Sequence, residues 1–217
     1  MTARADISRP RFARMYLKAG VRADRRGAAE HRRRLLEGLT GRVVEVGAGS
    51  GLNFAHYPAT VTEVIAVEPE PTLRAAAERA AAAAPVRVTV SPGAAEALPL
   101  ADGEADAAVA SLVLCSVPDQ GRALAEIRRV LRPDGELRFY EHVVAERQPG
   151  CAMLQLADHS GLWPRLCGGC HLARDTGAAI AAAGFAIERC ERFGFRASAL
   201  EPSIPHILGV ARVRSSA

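Results

Sequence analysis

Apolar residues recur along this chain in two rhythms, and the alternation between them lays out a fold. Between residues 7 and 39 the period is helical: Phe12, Met15, Tyr16 and Ala19 fall at i, i+3, i+4 and i+7, and Leu35, Leu36 and Leu39 form a second stripe. From residue 42 onward, short apolar runs take turns with amphipathic stretches. The runs at 42–46, 64–67, 86–90, 107–112, 136–142, 187–193 and 207–213 predict seven strands. Helices are predicted at 52–56, at 71–84 with proline in the first turn, at 120–131, and at 175–183 with Gly184 closing it. Strands separated by helices imply a parallel sheet covered on both faces, and the last two strands read as an antiparallel hairpin. The expectation is an α/β fold: a single doubly wound domain at 41–217 behind an N-terminal helical cap at 1–40. The segment at 145–175 is long and irregular, which predicts a substrate lid.

Composition narrows the setting. The pI of about 9.0 suggests an anionic partner until the charge is mapped. Residues 1–42 carry 12 Arg or Lys against 4 Asp or Glu, and the remainder carries 16 against 20. A basic arm on an acidic body can touch phosphates, but it reads more simply as a solvated helical face. No nucleic-acid partner is expected on that reading. No run approaches the ~18 apolar residues of a membrane helix, and residues 1–20 lack an apolar signal core. Five cysteines without a signal imply reduced thiols and a cytoplasmic location.

The candidate chemistry starts at Val43-Val44-Glu45-Val46-Gly47-Ala48-Gly49-Ser50-Gly51, a buried strand running into a GxGxG turn. Glu68 follows at the tip of the second strand, 17 residues after Gly51. Glycines there let a ligand approach the backbone, and a carboxylate at the next strand tip accepts hydrogen bonds from a ribose diol. A dinucleotide turn wants GxGxxG, but Leu52 stands after Gly51. Two further segments lean the same way, Gly93-Ala94-Ala95-Glu96-Ala97-Leu98-Pro99-Leu100 and Leu131-Arg132-Pro133-Asp134-Gly135. With the GAGSG turn and Glu68, they make the chain resemble the class I S-adenosylmethionine-dependent methyltransferases over nearly its whole length.

That resemblance implies a Rossmann-like domain with S-adenosyl-L-methionine as cofactor. By motif, Gly47, Ala48, Gly49 and Asn53 line its methionine and ribose end. Glu68 holds the ribose hydroxyls, with Pro69 beside it. Ala95 and Glu96 border the adenine, and Ser111 and Leu112 lie beneath the methionyl group. Many relatives carry Asp where this chain has Ala94, so the adenine contacts must come from elsewhere. Glu45 is either a direct ligand or a brace for the turn.

The fourth strand lacks the Asn/Asp-Pro-Pro-Tyr/Phe pattern used by methyltransferases of DNA bases. Leu112-Val113-Leu114-Cys115-Ser116-Val117, Glu141-His142-Val143, Gly169-Cys170-His171-Leu172-Ala173-Arg174-Asp175 and Pro205-His206-Ile207-Leu208-Gly209 resemble the methyltransferase-like thiol S-methyltransferases. The resemblance implies a small-molecule methyl acceptor, a thiol first, with O-, N- or C-methylation of a lipid, quinone or natural product as the alternative. Animal members carry an N-terminal membrane anchor, and none is expected here.

A thiol of pKa near ~8.5 needs only modest help to ionise, and histidine suits that task near neutral pH. His142 at the carboxyl end of strand five is the first candidate, followed by His171 and His206, with Asp158 able to orient one of them. Tyr16 and Trp163 read either as pocket walls or as ordinary packing. Cys167-Gly168-Gly169-Cys170-His171 matches a haem-attachment string by coincidence, and a zinc site from Cys167, Cys170 and His171 lacks an obvious fourth ligand, so no metal is expected. Cys115 and Cys190 are expected to be small buried residues.

Overall fold

The computed structural model describes residues 7–144, 156, 158–197 and 203–214. Strands β1 (Gly41–Val46), β2 (Val61–Val67), β3 (Val88–Ser91), β4 (Ala105–Ser111), β5 (Leu131–His142), β6 (Phe185–Phe195) and β7 (Ile204–Val213) form one sheet in the order β3-β2-β1-β4-β5-β7-β6. The first five run parallel, and β7 inserts antiparallel between β5 and β6. Reversal of strand order at β1/β4 opens a crevice at the carboxyl ends, where ligands of open α/β sheets bind.

Helices cover both faces. Helices α1 (Pro10–Ala23), α2 (Ala29–Leu36) and α3 (Pro71–Ala81) precede α4 (Gln120–Val130), a short α5 (Leu162–Leu166) and α6 (Thr176–Ala182). Three of them start on side-chain caps: Glu70 accepts from the Leu73 amide, Asp119 from Arg122 and Asp175 from Ala178. The central strands are buried on both sides, so they read as continuous apolar runs. Val44 and Val46 pack with Leu124, Ile127, Phe139 and Ile180 in one core, while Val43 joins Leu35, Leu36, Val64 and Tyr140 in the other.

The structure amends several expected boundaries. The N-terminal helical stretch is two helices rather than one: Gly27, at φ 119°, breaks it within a wide turn over Asp24–Ala28. The expected helix at 52–56 is a single 3-10 turn, Phe54–His56. Strand β5 starts at Leu131 instead of 136, and the Arg132-Pro133-Asp134-Gly135 turn bulges out between Leu131, paired with Ala105, and Glu136, paired with Ala107. Cys190 is exposed on the edge strand β6, against the expectation of burial, whereas Cys115 is buried as expected. Of the lid expected at 145–175, residues 145–155 and 157 lie outside the described residues.

Candidate active site

The glycine turn after β1 takes the shape that a close-approaching ligand needs. Gly47 and Gly49 sit at φ 64° and 59°, a region L side chains rarely adopt. A methyl at Gly47 would run into Val113, and one at Gly49 would lie 3.2 Å from the Tyr16 ring. The bare backbone therefore forms one wall of a cleft whose opposite wall comes from helix α1 and the segment after β4.

Glu68 stands at the tip of β2 on that cleft. Its Oε2 accepts from the Gly49 amide and its Oε1 from the Glu70 amide, both at 2.8 Å. Burial pushes its carboxyl up to about 7, more than the two amides pull it down. Each carboxylate oxygen keeps lone-pair capacity for a hydroxyl donor. A glycine cradle that a Cβ would fill, beside a carboxylate able to take a diol, fits the nucleoside end of S-adenosylmethionine.

The sequence-derived cofactor residues divide into two groups. Gly47, Gly49, Glu68, Pro69, Glu96 and Leu112 line the cleft, together with Ala95. Ala94, which stands where relatives carry Asp, lines it too. Ala48, Asn53 and Ser111 do not line it. Ala48 is buried, with its amide on the Val67 carbonyl. Asn53 and Ser111 turn toward Arg32, whose Nη1 lies 3.0 Å from Asn53 Oδ1 and 3.3 Å from Ser111 Oγ.

Arg32 looked like one charge among many on a basic arm. It is buried beneath the glycine turn, and its Nε pairs with Asp24 at 3.0 Å. Glu45 completes this underlayer, accepting from Asn53 Nδ2 at 2.9 Å and from Tyr57 OH at 2.7 Å. Burial raises its carboxyl to about 7 against those hydrogen bonds. Glu45 is thus a brace for the turn and not a wall of the cleft.

The opposite wall depends on a second carboxylate that the sequence reading left out. At the end of β4 the backbone turns sharply at Leu112, a non-glycine residue at φ 58°. The next three amides, those of Val113, Leu114 and Cys115, donate to Glu141 at 3.0, 2.9 and 3.1 Å. Glu141 comes from β5 and is fully buried. Burial raises its carboxyl, while the three amides favour the ionised form. The loop so gathered presents Val113, Ser116 and Val117 to the cleft, and Phe12, Tyr16 and Gly168 close it from the other side.

None of the candidate catalytic histidines lines the cleft, and neither does Asp158. His206 is buried, with Nδ1 2.8 Å from the Ile204 carbonyl and its ring stacked on Tyr140. Burial, and then neighbouring His142, drive it down to about 3, so it stays neutral. His171 pairs through Nδ1 with Asp158 at 3.2 Å, and the other Asp158 oxygen accepts from the Ala173 amide. His142 lies just behind the cleft wall. Its Nδ1 is 3.3 Å from Cys170 Sγ and 3.6 Å from Cys115 Sγ. Burial disfavours its protonated form, but the hydrogen bond it then donates to Cys170, together with the negative charge of Cys170 and Glu141, raises it overall. Cys170 is drawn toward thiolate by Cys115 and His142, and Cys115 is pushed the other way. The Cys167, Cys170 and His171 trio does not assemble: Cys170 joins Cys115 and His142 instead. Trp163 packs against Cys115, Cys170 and Leu172.

An open sheet with its crevice at β1/β4, a glycine turn and a diol-accepting carboxylate at the next strand tip define a class I methyltransferase architecture. The comparisons agree. Residues 44–139 match the family model described as "Methyltransferase domain". Human thiol S-methyltransferase TMT1B is 36% identical over 182 residues, covering 81% of this chain and 73% of that protein. Human thiol S-methyltransferase TMT1A is 35% identical over 175 residues, with 78% and 69% covered. Among solved structures, the S-adenosylmethionine-dependent methyltransferase of Thermotoga maritima superposes with TM-score 0.69 at 22% identity, over 94% of this chain and 97% of that one. The chain belongs to the class I S-adenosylmethionine-dependent methyltransferases, in the family of the methyltransferase-like thiol S-methyltransferases.

Proposed function

We propose that this enzyme methylates a small apolar thiol. The observation that carries the proposal is the kinship with thiol S-methyltransferases at 36% identity over 182 residues, beyond the 44–139 span that the general methyltransferase model matches. The cleft supports it. Phe12, Leu112, Val113 and Val117 give part of the cleft an apolar wall, beside the charged Arg9, Glu68, Glu70 and Glu96. When bound, S-adenosylmethionine supplies an already activated methyl on a sulfonium. What remains for the chain is to align the acceptor in line with it and exclude water, and orientation alone is worth several kcal/mol. Tyr16 and Phe12 on α1 and Gly168 ahead of α6 do the enclosing. The polar help comes from the end of β5, where His142 stands beside two thiols.

A panel of small thiols, phenols, amines and quinones with methyl-labelled cofactor tests the acceptor. Label should pass to alkyl or aryl thiols and little to the others; a panel in which every thiol is inert would remove the S-methyl reading. His142→Ala should lower thiol turnover, and most at low pH. Below the acceptor pKa of ~8.5 the thiolate is scarce, so assistance matters most there and fades as pH rises through that value. A small defect, flat with pH, would reduce His142 to packing.

The expected cap at 1–40 and the lid at 145–175 remain proposals about which segments cover the acceptor. Among the described residues no helix is long and apolar enough to cross a membrane.

A further inference from the structure

Three residues from three separate elements aim sulfur and nitrogen at one spot behind the cleft wall. Cys115 follows β4, His142 ends β5 and Cys170 precedes α6. Their ligand atoms all lie within 4.8 Å of one another. The separations are specific: Sγ to Sγ is 3.7 Å, and Nδ1 of His142 is 3.3 Å from Cys170 Sγ and 3.6 Å from Cys115 Sγ. A tetrahedral zinc ion with Zn–S of about 2.3 Å and Zn–N of about 2.0–2.1 Å has S···S edges of about 3.8 Å and S···N edges of about 3.5 Å. The three observed distances match one face of that tetrahedron to within a few tenths of an ångström. Thiolates with an imidazole are also the donor set that soft, zinc-type ions select.

The fourth corner is the informative one. Among the described residues no further Cys, His, Asp or Glu joins the group. Three protein ligands with one open position distinguish catalytic metal centres from closed structural ones. The cleft is adjacent: Ser116, next in sequence to Cys115, lines it, and so does Gly168, two residues before Cys170.

We propose that Cys115, His142 and Cys170 form a zinc-type metal site whose fourth position takes the sulfur of the thiol acceptor. The second half of this proposal rests on the thiol reading, and the first half does not. An acceptor thiol entering the open position gives up its proton to solvent water. Its sulfur lone pair then forms the new S–CH₃ bond while the methyl–sulfonium bond of the cofactor breaks, that electron pair returning to the cofactor sulfur. The products are a neutral thioether, which is a poor ligand and leaves, and S-adenosylhomocysteine. His142 thereby assists ionisation through the cation.

The test uses the full chain, stripped of metal by a chelator under reducing conditions and titrated with Co²⁺. One equivalent should bind with the intense visible bands of a tetrahedral ion and a near-ultraviolet thiolate-to-cobalt band, and Zn²⁺ should displace it. Losing a group that only hydrogen-bonds a metal ligand already weakens metal sites by about 10–100-fold. Removing a ligand, as in Cys115→Ser, Cys170→Ser or His142→Ala, should therefore weaken binding by about 100-fold or more. S-adenosylhomocysteine binding shows whether those variants are folded. Cys167→Ser and Cys190→Ser should leave the spectrum unchanged. An octahedral spectrum, wild-type binding no tighter than that of a Cys115→Ser/Cys170→Ser double variant, or loss of the bands in Cys167→Ser overturns the site. Adding an alkyl thiol should intensify the charge-transfer band; an unresponsive spectrum overturns the acceptor position alone. Full thiol turnover by the chelated, metal-free enzyme overturns the site's part in catalysis while leaving the thiol reading intact.

Discussion

Glu68→Ala should remove most of the affinity for S-adenosylhomocysteine, by about 100-fold or more in a calorimetric titration. Hydrogen bonds to a charged acceptor are worth about 1.5–3 kcal/mol each, and a ribose diol makes two. The substitution also strips the Gly49 and Glu70 amides of their acceptor, loosening the glycine turn itself. Glu68→Gln should lose less, since it keeps one carbonyl oxygen but turns an amide donor toward a backbone N–H. The pH dependence carries a distinct signature. Without ligand, burial holds the Glu68 carboxyl up to about 7, whereas a diol that donates to it favours the carboxylate and lowers that value. Binding thus releases a proton wherever the free site is protonated. Affinity should rise with pH up to about 7 and level off above it. In Glu68→Gln that slope should vanish. Unchanged affinity in Glu68→Ala would sink the assignment of this cleft to the nucleoside.

The second large effect is on stability. Glu141→Ala leaves three amides without an acceptor, those of Leu114 and Cys115 buried and that of Val113 partly so. Each orphaned donor costs about 1–3 kcal/mol, so a loss of about 3 kcal/mol is the low end. For a chain of this size that corresponds to roughly 6–12 °C in Tm, readable by scanning calorimetry. Methyl transfer should fall further than stability does, because the loop carrying Val113 and Ser116 forms the wall opposite the glycine turn. Glu141→Gln should lie between: one oxygen can still serve Val113 and Leu114, but its NH₂ faces the Cys115 amide. A Tm within a degree or so of the parent would mean that the loop is held by its own turn at Leu112.

The order and type of the elements were legible because their signals are local. Buried parallel strands show as apolar runs, and Pro71 and Gly184 punctuate helices within a residue or two of where they act. The misjudged boundaries have local causes as well. Gly27 sits inside a helical rhythm that continues across it, and Pro133 hides the fact that pairing has already begun at Leu131. The cofactor side of the site was legible where motifs encode it, at Gly47, Gly49, Glu68, Pro69, Ala95, Glu96 and Leu112, all of which line the cleft. Its buried polar supports are a different matter. Arg32 meets Ser111 across 79 residues, and Glu141 meets Cys115 across 26. Nothing local separates a buried arginine from its solvated neighbours in a basic stretch. The same holds for Cys115, His142 and Cys170: adjacency in sequence offers only Cys167 and His171 as companions for Cys170, and only the fold brings it to partners 55 and 28 residues away.

Helix α1 does more than cover the sheet. Phe12 and Tyr16 line the cleft, and the Ile7 amide donates to the Pro69 carbonyl beside Glu68. A ligand in the cleft therefore touches both the N-terminal helix and the sheet, and docking of that helix becomes thermodynamically linked to occupancy. Whatever factor the docked helix adds to cofactor affinity, the cofactor must return to the docking equilibrium. Helix α1 and the ligand are in this sense each other's effectors, with α1 set off from α2 by the break at Gly27.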